Sequence, residues 1–295
     1  MKFVKSHGTG NDFVMIEDLS GEITLDRDLV RALCDRHFGV GADGVVRVAK
    51  GSSGGQFFMD YWNADGSVAE MCGNGIRCLG KYVGDRGLAS GEEIIVETRG
   101  GLRTLRLERD LGPTGKVRRV QVDMGVPVLE RSAIPVAGDG ADALRETIEV
   151  DGERVAATCL SMGNPHAVLF VDEVSSAPVG SLGPRLETHP LFPSKTNVEF
   201  VQVRDHDRVA VRIWERGVGE TLSSGTGSCA SVVAGQLRGL TGRRVEVAVL
   251  GGLLEITWEG PGEPVMMSGP AVEVAEGILD QDWLRASRDT RPPRG

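Results

Sequence analysis

The chain has 295 residues, 40% of them apolar, which suits two domains of ordinary size with their own cores and excludes a disordered polymer. Thirty-three basic against forty-two acidic side chains give a net charge of −9 with no long basic run, which excludes the broad electrostatic footprint of a nucleic-acid binder and favours small-molecule chemistry. No stretch approaches the eighteen or so apolar residues of a membrane span, the N-terminus MKFVKSHGTGND has no signal-peptide core, and five scattered cysteines make no disulfide framework. A soluble cytoplasmic protein with reduced thiols is therefore expected, with no nucleic-acid or membrane partner.

In chain order, short strands are expected at 2–4 and 13–16 around the loop SHGTGND. Residues 26–37 place Leu29, Leu33 and Cys34 on one helical face, and Cys34 reads as core packing. FGVGADGVVRVA is a glycine-rich turn feeding a strand, GSSGG at 51–55 an exposed loop, and FFMDYW a further strand. The segment 63–83, NADGSVAEMCGNGIRCLGKYV, then sets Cys72 directly before Gly73-Asn74-Gly75 and a helix whose apolar residues are Ile76, Leu79, Tyr82 and Val83. EEIIVETRGG, LRTLRLER and VRRVQVDMG alternate as strands, and Gly125-Val126-Pro127 marks the passage into a second unit.

In that unit, 136–145 is an exposed loop, followed by strands in VAATCLSMGNPHAVLFVD, KTNVEFVQV and DRVAVRIWERGVGE. A helix is expected over about 228–238. RVEVAVLGGLLEITWEG closes the unit as a hairpin. The tail from 270 is strand-like and then polar, and its end, RDTRPPRG, is expected to be disordered. Strand-rich flanks around one helix per unit predict mixed α+β and not repeated βαβ.

Cys72 carries the first chemical signal. A thiol at a helix N-terminus meets unpaired backbone N–H groups and the positive end of the helix dipole, which favour a thiolate or a carboxylate docked beside it. A second copy strengthens it. A shift of 152 residues carries Cys72-Gly73-Asn74-Gly75 onto Ser224-Gly225-Thr226-Gly227 and Arg86-Gly87-Leu88 onto Arg238-Gly239-Leu240, and a shift of 153 carries Gly10-Asn11 onto Gly163-Asn164. The chain reads as two diverged copies of one unit, and two such units facing each other would aim two helix N-termini at one cleft.

Other chemistries fit less well. GTGSCA at 225–230 has the letters of a dinucleotide fingerprint, but ERGVGETLSS separates it from its strand. Cys72 and Cys78 lack knuckle spacing and the five histidines are scattered, so no metal is expected. Ser224 and His166 lack the GxSxG elbow of a hydrolase triad, and His7 and His37 receive no chemistry. Asn11, Asn63, Asn164, Asn197, Glu215 and Arg216 sit in or beside glycine-adjacent motifs. Singly, an asparagine serves a turn. Together they suit a zwitterionic ligand, with Arg216 forking a carboxylate and Glu215 taking an ammonium.

HGTGNDFV (7–14), GADGV (41–45), NADGS with MCGNGIRC (63–78), MGNPHAV (162–168), TNVEF (196–200) and ERGVGET with SGTGSC (215–229) resemble diaminopimelate epimerase over nearly the whole chain. The resemblance implies an isomerase that needs no cofactor and interconverts the LL and meso forms of 2,6-diaminopimelate for lysine and cell-wall synthesis, commonly as a homodimer. It implies two pseudo-symmetric α/β units, each a mixed, mostly antiparallel sheet around a central helix, with the active site in the cleft between them. On this chain the units are drawn as 1–122 plus 270–295 and 123–269.

In the family, two cysteines face opposite sides of the substrate α-carbon. By resemblance Cys72 is one of them; the backbone N–H groups of Gly73, Asn74, Gly225 and Thr226 hold the reacting carboxylate; Asn11, Asn63, Asn164, Asn197, Glu215 and Arg216 bind the two amino-acid ends; His166 lies close by. The second cysteine is replaced by Ser224, and Cys229 matches a different family cysteine. A hydroxyl is far less acidic than a thiol, so abstraction from that side is expected to be impaired. Three accounts fit the serine: an engineered replacement that traps substrate, a natural slow or altered epimerase, or a one-base relative that eliminates water. A non-catalytic amino-acid-binding paralogue is the alternative from another class.

Overall fold

The computed structural model describes residues 1–289. By its internal contacts the chain divides into two compact units, Met1–Val122 together with the segment from Pro270, and Asp123–Gly269.

The first unit opens with β1 (Lys2–Gly8) and β2 (Asn11–Asp18), an antiparallel hairpin longer than the two short strands expected. The motif SHGTGND supplies the strand ends as well as the turn, because only Thr9 and Gly10 leave the ladder, with φ of 50° and 85°. Two successive left-handed residues match the twist of a hairpin. Helix α1 (Arg27–Cys34) starts at Asp26, whose carboxylate accepts from Leu29 N at 2.8 Å, and it buries Leu29, Val30 and Leu33 against Val14, Ile16 and Val45. β3 (Gly44–Lys50) and β4 (Phe57–Asn63) form the next antiparallel pair.

Helix α2 (Gly73–Asp85) then leads to β5 (Glu93–Thr98), β6 (Gly101–Arg109) and β7 (Val117–Asp123). α2 is the core of the unit: Ile76, Leu79 and Val83 are wholly buried, each such side chain contributing about 1.5–3 kcal/mol. Gly80 is required where the helix meets the sheet, since a Cβ there would lie 3.0 Å from both Leu105 and Val120 side chains. Late in the chain the strand Val272–Ile278 pairs antiparallel with β1, and a terminal helix, Gln281–Asp289, follows. The expected disordered tail therefore begins in a helix, and residues 290–295 lie outside the described residues.

The second unit repeats the plan. β8 (Glu146–Val150), β9 (Glu153–Ser161) and β10 (Pro165–Phe170) are followed by helix α3 (Val179–Glu187), then β11 (Asn197–Asp205), β12 (Arg208–Glu215) and the short β13 (Gly219–Thr221). Helix α4 (Gly225–Leu237) leads to β14 (Arg244–Val249), β15 (Gly252–Trp258) and β16 (Val265–Pro270). α4 starts three residues before the expected 228, because Ser224 caps it and the glycines form its first turn.

From Val272–Ile278 through β1 to β7 the pairings run antiparallel, antiparallel, parallel, antiparallel, parallel, antiparallel, antiparallel. From β8 through β12 and β14 to β16 they run in the same order. Each parallel pair needs a crossover, and α1, α2, α3 and α4 supply them. So each unit has two crossover helices, not the one expected, in a mixed and mostly antiparallel α+β sheet. α3 escapes periodicity because Gly180, Gly183 and Pro184 interrupt it; the shift of 152 that relates the central helices also carries α1 onto it. Gly183 lets α3 lie on Trp214, whose ring would be 2.7 Å from a Cβ.

Candidate active site

In the first unit the site is built at the start of α2. Cys72 is the N-cap, with φ −137° and ψ 117°, and its sulfur accepts from Gly75 N at 3.5 Å. The side chain is half-buried, while Cys34, Cys78, Cys159 and Cys229 are buried. Gly73 and Asn74 occupy the first helical positions, where backbone N–H groups have no partner within the helix. Asn11, at the head of β2, brings Oδ1 to 3.7 Å from the Cys72 sulfur and 3.1 Å from Asn74 Nδ2. Asn63 ends β4 and donates to Ser67 Oγ at 3.0 Å, so its side chain is tied to the following turn and not to the Asn11 cluster.

Asp12 and Asp43 back this cluster. Arg36 donates to Asp12 at 2.9 and 3.1 Å and to Asp43 at 2.7 Å, and Lys5 lies 2.5 Å from Asp12. Burial alone would raise the Asp12 carboxyl, but hydrogen bonds from Arg36 and Lys5 outweigh it and hold it well below the usual carboxylate range.

In the second unit Ser224 caps α4 with φ −125° and ψ 124°, and its hydroxyl accepts from Gly227 N at 3.3 Å. This is the geometry of Cys72 at α2. Thr226 Oγ1 lies 3.5 Å from Ser224 Oγ, and Gly225 and Thr226 open the helix. Glu215, the last residue of β12, accepts from Thr221 Oγ1 at 2.6 Å. Loss of water around it pushes its carboxyl above the ordinary value, opposed by that hydroxyl. Asn197, at the head of β11, donates to Pro165 O at 2.8 Å and accepts from Arg216 N at 2.9 Å. The Arg216 guanidinium donates to Ser194 O at 2.9 Å.

His166 is wholly buried, with Nε2 2.9 Å from Asn164 Oδ1 and Nδ1 2.7 Å from Glu199 Oε1. Burial pushes the Glu199 carboxyl above its ordinary range, against the pull of the imidazole. Glu199 was missed as a site residue, as was Asp43. Its signal was legible: a carboxylate in the middle of the apolar strand NVEFV has to be paired or protonated when buried.

Chemically, each cap offers a proton-carrying side-chain atom beside two helix-opening N–H groups, the arrangement that holds a carboxylate while a proton moves. Among the described residues no group of three or more histidine, cysteine, aspartate or glutamate side chains could hold a metal ion, and no helix is long and apolar enough to cross a membrane.

The family model for diaminopimelate epimerase matches residues 3–130 and 158–274. The chain belongs to the diaminopimelate epimerase family. Among its relatives, the diaminopimelate epimerase of Moorella thermoacetica is 50% identical over 283 residues, covering 96% of this chain and all of that one. That of Leptospira biflexa is 46% identical over 281 residues, covering 95% and 99%.

Solved structures carry the same fold at lower identity. A probable proline racemase from Agrobacterium radiobacter K84, with bound carbonate, superposes with a TM-score of 0.69 at 15% identity over 95% of this chain and 93% of that one. A hydroxyproline epimerase from Agrobacterium vitis, with bound trans-4-hydroxy-L-proline, gives 0.68 at 14% identity over 98% of each. By its family the chain is an isomerase of the epimerase type, and the solved structures share its two-domain α+β fold.

Proposed function

We propose that this chain interconverts LL- and meso-2,6-diaminopimelate by proton transfer at Cα, without a cofactor, and that Ser224 stands where the second base of its relatives is a cysteine. The observation that carries the reading is the identity of the two caps: Cys72 and Ser224 share backbone angles within about 12° and each accepts from the N–H three residues on. In this reading the Cys72 thiolate takes the Cα proton. The electron pair left on Cα spreads into the substrate carboxylate, held by backbone N–H groups of Gly73, Asn74, Gly225 and Thr226. The opposite face receives a proton from Ser224 or from water.

Asn11, Asn63, Asn164, Asn197, Glu215 and Arg216 bind the amino-acid ends, and His166 supports Asn164. The forward step from the Cys72 side keeps a competent base; the reverse step has to start from a hydroxyl and is slow. The same reading makes the protein a cytoplasmic homodimer in lysine and cell-wall synthesis.

The test follows Cα deuterium uptake from heavy water into LL- and meso-diaminopimelate separately, by NMR, for this chain and for Ser224→Cys. The cysteine variant is expected to epimerise about 10²–10⁴-fold faster, the usual span for a positioned general base. If neither protein exchanges either isomer, the substrate assignment fails. The serine itself favours a second reading, a one-base enzyme that eliminates water, and release of a dehydrated product by the unaltered chain would select it.

A further inference from the structure

Four side chains in the first unit form a relay with a charge at each end. Asp43 Oδ2 accepts from Asn11 Nδ2 at 2.7 Å, Asn11 Oδ1 accepts from Asn74 Nδ2 at 3.1 Å, and Asn74 Oδ1 accepts from Arg77 Nη1 at 2.9 Å. An ionised carboxylate only accepts and a guanidinium only donates, so the two ends dictate which way both amides point. Arg77 is wholly buried and is itself held by Gly73 O and Thr9 Oγ1, at 3.3 and 3.2 Å. The Asn11 oxygen is thereby turned toward the Cys72 sulfur, 3.7 Å away, where it receives an S–H and repels a thiolate. Gly75 N–H approaches the same sulfur at 3.5 Å and favours the thiolate.

We infer that Asp43 is a positioning residue for Cys72: through Asn11 it keeps an acceptor against the sulfur and so sets how readily the thiol gives way to the thiolate that acts as base. The inference deepens the epimerase reading and rests on it for the role of Cys72. Charged and titratable groups near Cys72 in this unit include Arg77 and Cys78 on its own helix, with Lys81 and Glu273 acting on Cys78, and Asp43, Asp12, Arg36 and Lys5 behind Asn11. His7 accepts from Gly10 N in the turn before Asn11, and Glu70 lies two residues before Cys72. Burial pushes Cys78 up to about 12, so it does not compete for an alkylating reagent near neutral pH.

The test is the pH midpoint of iodoacetamide labelling at Cys72, read by mass spectrometry without substrate, so failure of the epimerase assignment leaves it interpretable. Asp43→Asn removes the charge that anchors one end of the relay and leaves Asn11 held chiefly by Asn74, and the midpoint is expected to fall by about one pH unit, a tenfold gain in thiolate at fixed pH. Asp43→Glu keeps an acceptor and is expected to hold the midpoint. Asp12→Asn removes a charge from the same network while leaving the relay intact, and is also expected to hold it. Should Asp43→Asn unfold, Asp43→Ser makes the same change with a smaller neutral side chain. An unchanged midpoint in the folded neutral variant overturns the inference, and so does an equal shift in Asp12→Asn, which would mean that charge alone acts.

Discussion

Glu199 Oε1 lies 2.7 Å from His166 Nδ1, and both side chains are wholly buried under the first turn of α4, where a Cβ at Gly227 would come within 2.8 Å of the same oxygen. A shift of 153 residues carries Phe13 and Val46 onto these two positions, and Phe13 and Val46 lie under Gly75 of α2. One unit thus rests its central helix on hydrocarbon and the other on a pair of ionisable groups. The carboxyl is raised in the folded state, so the protonated form is favoured there. Its contribution to stability is complete below the unfolded value of about 4.3 and is lost as pH rises through the folded value. Glu199→Gln removes that titration. The stability advantage of the unaltered chain over the variant, from urea midpoints across a pH series, is expected to shrink as pH rises; a constant difference contradicts this.

Two glycines at matching helix positions are expected to differ. At Gly75 the closest atom to an added Cβ is Met59 Cε at 2.9 Å, the end of a flexible chain, so Gly75→Ala is expected to be near neutral, the helix preference of alanine offsetting a small repacking. At Gly227 the obstacle is Glu199, held by His166, with Ile213 Cδ1 at 3.2 Å, and Gly227→Ala is expected to cost about 1–3 kcal/mol. Thermal melts of the two variants decide it, and equal losses would refute the contrast.

Cysteine reactivity is expected to single out one thiol of five. Burial pushes Cys34 and Cys78 up to about 12 and Cys159 higher still, and Cys229 is buried, while half-buried Cys72 caps a helix. Native protein treated briefly with iodoacetamide at neutral pH should carry one label, at Cys72, and diaminopimelate should protect it. Five labels should appear only after denaturation; early labelling of Cys34 or Cys159 would show that the packing described for them is wrong.

Asp12 gives an acid-side prediction. Its carboxyl is held low by Arg36 and Lys5 against the effect of burial, so its contribution is present above the unfolded value of about 3.9 and is lost as pH falls through the folded one. Asp12→Asn is expected to lose about 2 kcal/mol at pH 7, the scale of a hydrogen bond to a charged group, and the loss should fade below about pH 4. Denaturant titrations from pH 7 down to the lowest pH at which the protein stays folded measure it, and a loss that stays constant well below about pH 4 would remove the ion pairs as its cause.

Much of the candidate site could be read from the chain because its parts are local. A cap is a side chain reaching the N–H three residues on, so CGNG and SGTG announce both helix starts wherever the sheet lies. The repeat made the two starts equivalents of each other, and strand alternation gave most of the ladder segments.

The pairings that give those parts their chemistry are distant, and local periodicity carries no information about them. Asn11 meets Asp43 and His166 meets Glu199 only because β2 lies parallel to β3 and β10 to β11, in registers set by which faces are buried. The strand Val272–Ile278 joins β1 from the far end of the chain, Lys2 opposite Ile278, filling the place that β8 takes beside β9 in the second unit. The sequence by itself determined where protons can be held. The tertiary structure decided which charged neighbour holds each one, because burial makes those long-range contacts strong and only packing brings the partners together.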